Sequence, residues 1–255
     1  MLPTPITSRT TRRTARGQIG NMRRTGRAAV LLAAVAAFSA ACEGDGKSTL
    51  SAAACDAYAD LQGAFFGDPA QLGPAAEAFA KAAPDQLSGP IDVLVAALSS
   101  DDPAASETPA YAEAQTKVAN AVYADCAADA KADVKGVDYP FTGLPSKVDA
   151  GRLNLRFTND SPADEPHELI IVTGANGETA AELQALPMEQ LFAAARPIAV
   201  AFTGAPGGVA TTLVDLEPGE YLVICTLPVG GFDAAQDGPG DPHSNHGMVA
   251  TLTVA

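Results

Sequence analysis

The chain has 255 residues, of which 16 are Lys or Arg and 30 are Asp or Glu, a net charge of −14, with three His, four Cys and no Trp. An acidic balance of that size disfavours binding to nucleic acid or to anionic lipid head groups and favours a well-hydrated surface. The length allows about two domains.

The first segment is read as an export signal. Seven arginines lie between Arg9 and Arg27, followed by the apolar run Ala28–Phe38. Such a run behind a basic stretch is too short to remain as a spanning helix. It ends in Ser39-Ala40-Ala41-Cys42, which resembles the bacterial lipoprotein box, although Ser39 stands where Leu is most usual. The resemblance implies acylation of Cys42 and anchoring to the outer face of the cell membrane. Plain secretion with cleavage near Ala41 is the alternative. Met22 with Arg23-Arg24 could itself start a signal, so translation from Met1 and from Met22 both stay open. Without residues 1–41 the chain keeps nine basic against 30 acidic residues, a net of −21.

Residues 42–50 read as the lipidated cysteine and a polar tether. From residue 51 to 135 the composition is Ala-rich with few β-branched residues, which favours helix. Cys55, Tyr58, Leu61, Phe65 and Phe66 fall at helical spacing and stop at Gly67-Asp68-Pro69. Further helices are expected over Leu72–Ala83, around Ile91–Leu98 and over Pro109–Ala130. Cys55 and Cys126 form an even pair in an exported chain, where disulfides persist, so a bridge between them is expected to clamp a four-helix bundle. This part resembles small Cys-stapled helical modules of exported actinobacterial proteins. It contains no His, and a spacer or interaction role is expected for it.

Around Gly136 the pattern changes to Gly/Pro-rich turns and short β-type runs: Tyr139–Thr142, Arg152–Thr158, Glu168–Val172, Ile198–Phe202, Thr211–Leu216, Tyr221–Thr226 and Met248–Val254. Leu153-Asn154-Leu155-Arg156-Phe157 alternates as a half-buried strand does. A helical insertion is expected over Glu178–Arg196. Seven short strands separated by turns indicate a β-sandwich.

Ligand-type residues sit at particular places on these strands. His167 ends Glu165-Pro166-His167, Cys225 closes Tyr221–Cys225, and His243 and Met248 flank Ser244-Asn245-His246-Gly247. Singly, each has an ordinary reading: a strand-start His is more often structural, a lone Cys is a small hydrophobe, and Met is core filler. Together, two imidazoles, a thiolate and a thioether form the donor set of a mononuclear blue-copper site.

On these residues, with Asn159, Pro218-Gly219 and the final strand, residues 137–255 resemble the cupredoxins, the family of plastocyanin, azurin and pseudoazurin. The resemblance implies a Greek-key β-sandwich holding one copper ion, with His167, Cys225 and His243 in the plane and Met248 axial. His246 is a possible substitute for His243, or a residue at the exposed edge of the site. One departure is large: seventeen residues, Thr226–Pro242, separate Cys225 from His243, where family members have only a few. Loop closure costs only about 0.6 kcal/mol per doubling of length, so His243 can still reach the ion, but with less rigidity.

The expected fold class is therefore an α+β multidomain chain, a small disulfide-linked four-helix domain (51–135) followed by a cupredoxin-like sandwich (137–255). The expected function is membrane-anchored carriage of single electrons between redox partners. The alternatives are copper binding and delivery to or from a donor or acceptor in the cell envelope, and a metal-free binding module. No enzymatic activity is expected, because a site of this type offers no open position for substrate.

Overall fold

The computed structural model describes residues 50–100, 102–163, 165–230 and 240–255. The signal segment 1–41, Cys42 and nearly all of the tether lie outside the described residues. Helix α1 (Ala52–Phe66) starts where the Ser51 side chain accepts a hydrogen bond from the Ala54 amide, and it ends at Gly67. Asp68 caps α2 (Pro69–Ala82) in the same way, α3 spans Asp85–Leu98, and Thr108 caps α4 (Pro109–Asp125). Each such cap satisfies a donor that the first helical turn leaves free. No helix among the described residues is long and apolar enough to cross a membrane.

The helical region ends ten residues before the expected boundary at 135. Ala130–Gly136 is a strand, β1, with Ala132, Val134 and Gly136 buried and Lys131, Asp133 and Lys135 exposed. That period-2 alternation overrides the helix propensity of the two alanines, because it lets β1 pair in parallel with β4 (Gly151–Asn159). The strand expected over Tyr139–Thr142 is also shorter. Asp138 and Tyr139 take positive φ values of 23° and 81°, and only Phe141–Thr142 (β2) pairs with β1.

Two sheets face each other. One has the order β2-β1-β4-β7, where β7 is Val209–Leu216. The other has the order β3-β9-β8-β5-β6, with β3 at Lys147–Val148, β5 at His167–Gly174, β6 at Ala195–Thr203, β8 at Gly219–Ile224 and β9 at Val249–Val254. Leu153, Leu155 and Phe157 of β4 interdigitate with Leu169, Ile171, Val223 and Leu252 in one buried cluster between the sheets. The outer face of the second sheet carries Val172, Leu222 and Ile224, covered by Leu183 of α5 (Ala180–Gln184) and Leu191 of α6 (Met188–Ala194). The insertion expected over 178–196 is thus helical up to Ala194.

Helices α1 and α4 lie on the outer face of the first sheet. Cys55, Tyr58, Phe79, Ile91, Val118 and Val122 form a buried cluster with Leu213 of β7. The Tyr58 hydroxyl donates to the Thr211 carbonyl at 2.9 Å. The Cys55–Cys126 disulfide forms as expected, closing a loop across 71 positions and tying α1 to the end of α4. Helices and sheet therefore share apolar burial, and the described residues form one compact unit.

Asn154 explains how the end of α4 is buried on the sheet. It is fully buried on the outer face of β4, and its Nδ2 donates to the Val122 and Cys126 carbonyls at 3.0 and 3.3 Å. The Val122 carbonyl also accepts from the Cys126 amide at 3.0 Å, whereas the Cys126 carbonyl lies past the last helical turn, which cannot satisfy it. Replacing Asn154 by Ala removes the buried donor to the Cys126 carbonyl and should cost about 2 kcal/mol. The expected result is a fall of roughly 4–8 °C in Tm by thermal unfolding followed by circular dichroism.

Candidate metal centre

The four candidate ligands sit at one end of the sandwich, at or beside the ends of three strands that the second sheet brings together. His167 is the first residue of β5, Cys225 directly follows β8, His243 opens a single 3-10 turn (His243–His246), and Met248 directly precedes β9. His167, Cys225, His243 and Met248 are each fully buried. Their backbones are locked to each other. The Cys225 amide donates to the Met248 carbonyl at 3.0 Å, Ser244 to Cys225 at 3.1 Å, His243 to Leu227 at 2.8 Å and Met248 to His243 at 3.1 Å.

This ladder answers the question posed by the long insertion. Pro228 bridges to Pro242, and the Val229 amide donates to the Asp241 carbonyl at 3.0 Å. The chain leaves the site at Val229 and returns at Asp241, so His243 is held by the same backbone bonds whatever lies between. Most of the insertion, residues 231–239, falls outside the described residues.

The side chains converge. Among the described residues, His167, Cys225 and His243 offer donor atoms that all lie within 4.8 Å of one another. The two histidine Nδ1 atoms are 3.1 Å apart, and Cys225 Sγ is 3.4 Å from His243 Nδ1. Donors bound at about 2.0 Å (nitrogen) and 2.3 Å (sulfur) to one ion stand at this kind of separation. His246 is exposed and lies outside the group. Its ring stacks at 5.1 Å on Tyr139, whose other neighbour is His243, with ring centroids 4.8 Å apart. Cys225 is the free cysteine among the described residues.

Burial sets the protonation of the metal-free site. It pushes both imidazoles below the usual histidine range, with the neighbouring His243 acting in the same direction on His167. Burial pushes the Cys225 thiol up to about 12. Neutral imidazoles already offer lone pairs, whereas the thiol must release its proton before it can bind a cation.

Four further residues support the site, and their roles follow from the fold rather than from any motif. Glu168 is nearly buried, and its Oε1 accepts hydrogen bonds from the Thr226 amide at 3.0 Å and hydroxyl at 2.6 Å, tying the start of β5 to the residue after Cys225. Burial raises its pKa. Glu165 accepts from the Tyr139 hydroxyl at 3.0 Å and lies 2.9 Å from His243 Nε2. Tyr139, displaced from its expected strand, covers His243. Gly136 ends β1 directly against the site: a Cβ there would stand 2.7 Å from the Met248 methyl, 3.0 Å from Phe157 and 3.3 Å from His167. Asn159, grouped with the site by resemblance, holds the approach to His167 by donating to the Glu165 carbonyl at 2.7 Å.

Gly136 gives a test of the space beside Met248. Gly136→Ala should push the flexible Met248 side chain aside before it disturbs the backbone, at a cost of about 1–3 kcal/mol for overpacking. The expected outcome is a folded protein with an altered visible spectrum in the presence of Cu(II), checked against thermal unfolding of the same sample.

No protein-family model matches this chain, and no curated protein matches it. Solved structures do. Dithionite-reduced auracyanin from the photosynthetic bacterium Roseiflexus castenholzii is 22% identical over 51% of this chain and 99% of its own, with a TM-score of 0.35. Auracyanin B is 22% identical over 51% of this chain and 91% of its own, with a TM-score of 0.34. Auracyanin A from Chloroflexus aurantiacus, described as a "blue" copper protein, is 22% identical over 49% of this chain and 98% of its own, with a TM-score of 0.31.

Proposed function

We propose that this chain is a type-1 copper protein of the cupredoxin kind, anchored outside the cell membrane through a lipid on Cys42, that carries single electrons between redox partners. The convergence of three buried donors, two imidazole nitrogens and one thiol sulfur, carries the reading. The residues fit copper by chemistry as well as distance. A His₂Cys plane with a weak thioether beside it suits copper, while hard cations would need oxygens and a closed zinc site would need a fourth strong ligand. His167, Cys225 and His243 would hold the ion, with the buried Met248 thioether as the candidate fourth ligand. Copper bound there would supply a one-electron couple.

What the chain adds is constraint. The backbone ladder from His243 to Leu227, Met248 to His243 and Cys225 to Met248 fixes three of the ligands relative to one another. Donors held in this way change position little when the charge at the site changes, which keeps the reorganisation accompanying electron transfer small. Burial keeps water from adding as a further ligand. A redox protein of the cell envelope would be the partner.

Copper delivery without electron transfer is the second reading, favoured by exposed His246 standing one aromatic ring away from His243. Adding Cu(II) to a soluble chain beginning at residue 43 separates the two. Electron carriage predicts an intense blue absorption, as the cupredoxin resemblance implies, and reversible one-electron reduction. Colourless binding that depends on His246 would favour delivery, and no binding would remove both. For the anchor, a Cys42→Ala variant that stayed with the membrane fraction would refute lipidation.

A further inference from the structure

The two histidines that face each other through Nδ1 differ at their other ends. Both Nε2 atoms are buried, and neither has a hydrogen-bond partner among the described residues. His167 Nε2 lies 4.0 Å from Asp138, whose Oδ1 already accepts from the Ser161 hydroxyl. His243 Nε2 lies 2.9 Å from Glu165 Oε2, an ion-pair distance rather than a formed hydrogen bond. Glu165 is itself held in place. Tyr139 donates to Oε2 at 3.0 Å, the Gly230 amide to Oε1 at 3.3 Å, and Asn159 to its backbone carbonyl at 2.7 Å.

A buried ring N–H beside a fixed carboxylate has a defined chemical consequence. Hydrogen bonding at Nε2 selects the tautomer with the proton there, leaves the Nδ1 lone pair free, and makes the ring a stronger donor. We propose that Glu165 is a positioning residue for His243: it holds the imidazole in the Nε2–H tautomer, with Nδ1 aimed at Cys225 and His167, and its negative charge favours the more highly charged state of an ion held there. The second half of this inference rests on the copper reading above, and the first half does not. In the metal-free protein the arrangement is self-consistent. With the proton on Nε2, the His243 Nδ1 lone pair faces two groups that can donate to it, His167 Nδ1 at 3.1 Å and the Cys225 thiol at 3.4 Å.

Two variants separate the hydrogen bond from the charge. Glu165→Gln keeps an acceptor and removes the charge, whereas Glu165→Leu removes both. Long-range proton–nitrogen correlation spectra of the metal-free chain from residue 43 read the tautomer directly. The expected result is Nε2–H for His243 in the wild type and in Glu165→Gln, and a mixture of tautomers in Glu165→Leu. With copper bound, spectroelectrochemical titration should show the Glu165→Gln potential shifted upward, and a smaller shift for Asp138→Asn, which lies farther from its histidine. An Nδ1–H His243 in the wild type, or a Glu165→Gln potential equal to the wild type, would overturn the proposal. A chain that takes up no copper would end the electron-carrier reading and leave the tautomer measurement to decide the role of Glu165.

Discussion

Cys225→Ala is expected to leave the fold standing and to abolish the blue colour with Cu(II). The thiol is buried against the core between the sheets, so its replacement by a methyl group removes one small apolar contact, at a cost of about 1 kcal/mol. Its loss at the site is of another order. Sulfur is the one soft, charge-bearing donor in the group, and without it two imidazoles and a thioether remain. The affinity for copper should fall by more than the roughly 10–100-fold that follows loss of a supporting residue outside the ligand set. Visible absorption reads the site and far-ultraviolet circular dichroism reads the fold. An unchanged spectrum in Cys225→Ala would mean that copper sits elsewhere.

Removing the disulfide is expected to have the largest effect on stability and almost none on the site. Cys55–Cys126 closes a loop across 71 positions, for which the chain-entropy account gives roughly 4 kcal/mol. The bridge joins the ends of the helical layer, on the outer face of the sheet containing β4 and β7. The candidate ligands stand at the ends of β5, β8 and β9 of the other sheet and on the 3-10 turn before β9. A Cys55→Ala/Cys126→Ala chain should therefore show a much lower denaturant midpoint while keeping its copper spectrum below the transition. A midpoint shift worth under about 1 kcal/mol would show that apolar packing alone fixes the helices.

Much of this architecture was legible because periodicity and ligand chemistry are local properties. The stop at Gly67-Asp68-Pro69, the alternation in Leu153–Phe157 and the order His167, Cys225, His243, Met248 can each be read without knowing what lies across the sheet. The losses have physical reasons. Ala130–Gly136 contains good helix formers and becomes a strand because β4 offers it a partner, which a propensity count cannot see. Its alternation, Lys131, Ala132, Asp133, Val134, Lys135, was the available signal. Tyr139 leaves its expected strand through a left-handed backbone that favours stacking on His243, a contact made 104 positions along the chain. Glu165 sits beside His167 in sequence yet acts on His243, and no spacing rule links residues that only the fold brings together. The contacts of Glu168 with Thr226 and of Gly136 with Met248 were invisible for the same reason. His243 and His246, open alternatives in the sequence, differ in burial: one ring faces His167 and Cys225 from inside, and the other is exposed beyond Tyr139.

The charge pattern gained less from the structure than the site did. Surface ion pairs such as Lys117–Glu113 and Lys135–Asp160 are exposed and contribute little at physiological salt. Arg152 is more informative, reaching Asp56 of α1 and Asp215 of β7 from β4 at 2.7 and 2.9 Å, so that one guanidinium spans the helical layer and the sheet.

The most direct test of the central claim is X-ray absorption at the copper edge on the soluble chain from residue 43 loaded with one equivalent of Cu(II). The account predicts one short copper–sulfur distance together with two imidazole nitrogens, the sulfur disappearing in Cys225→Ala. A shell of nitrogen and oxygen alone, identical in the two proteins, would contradict it.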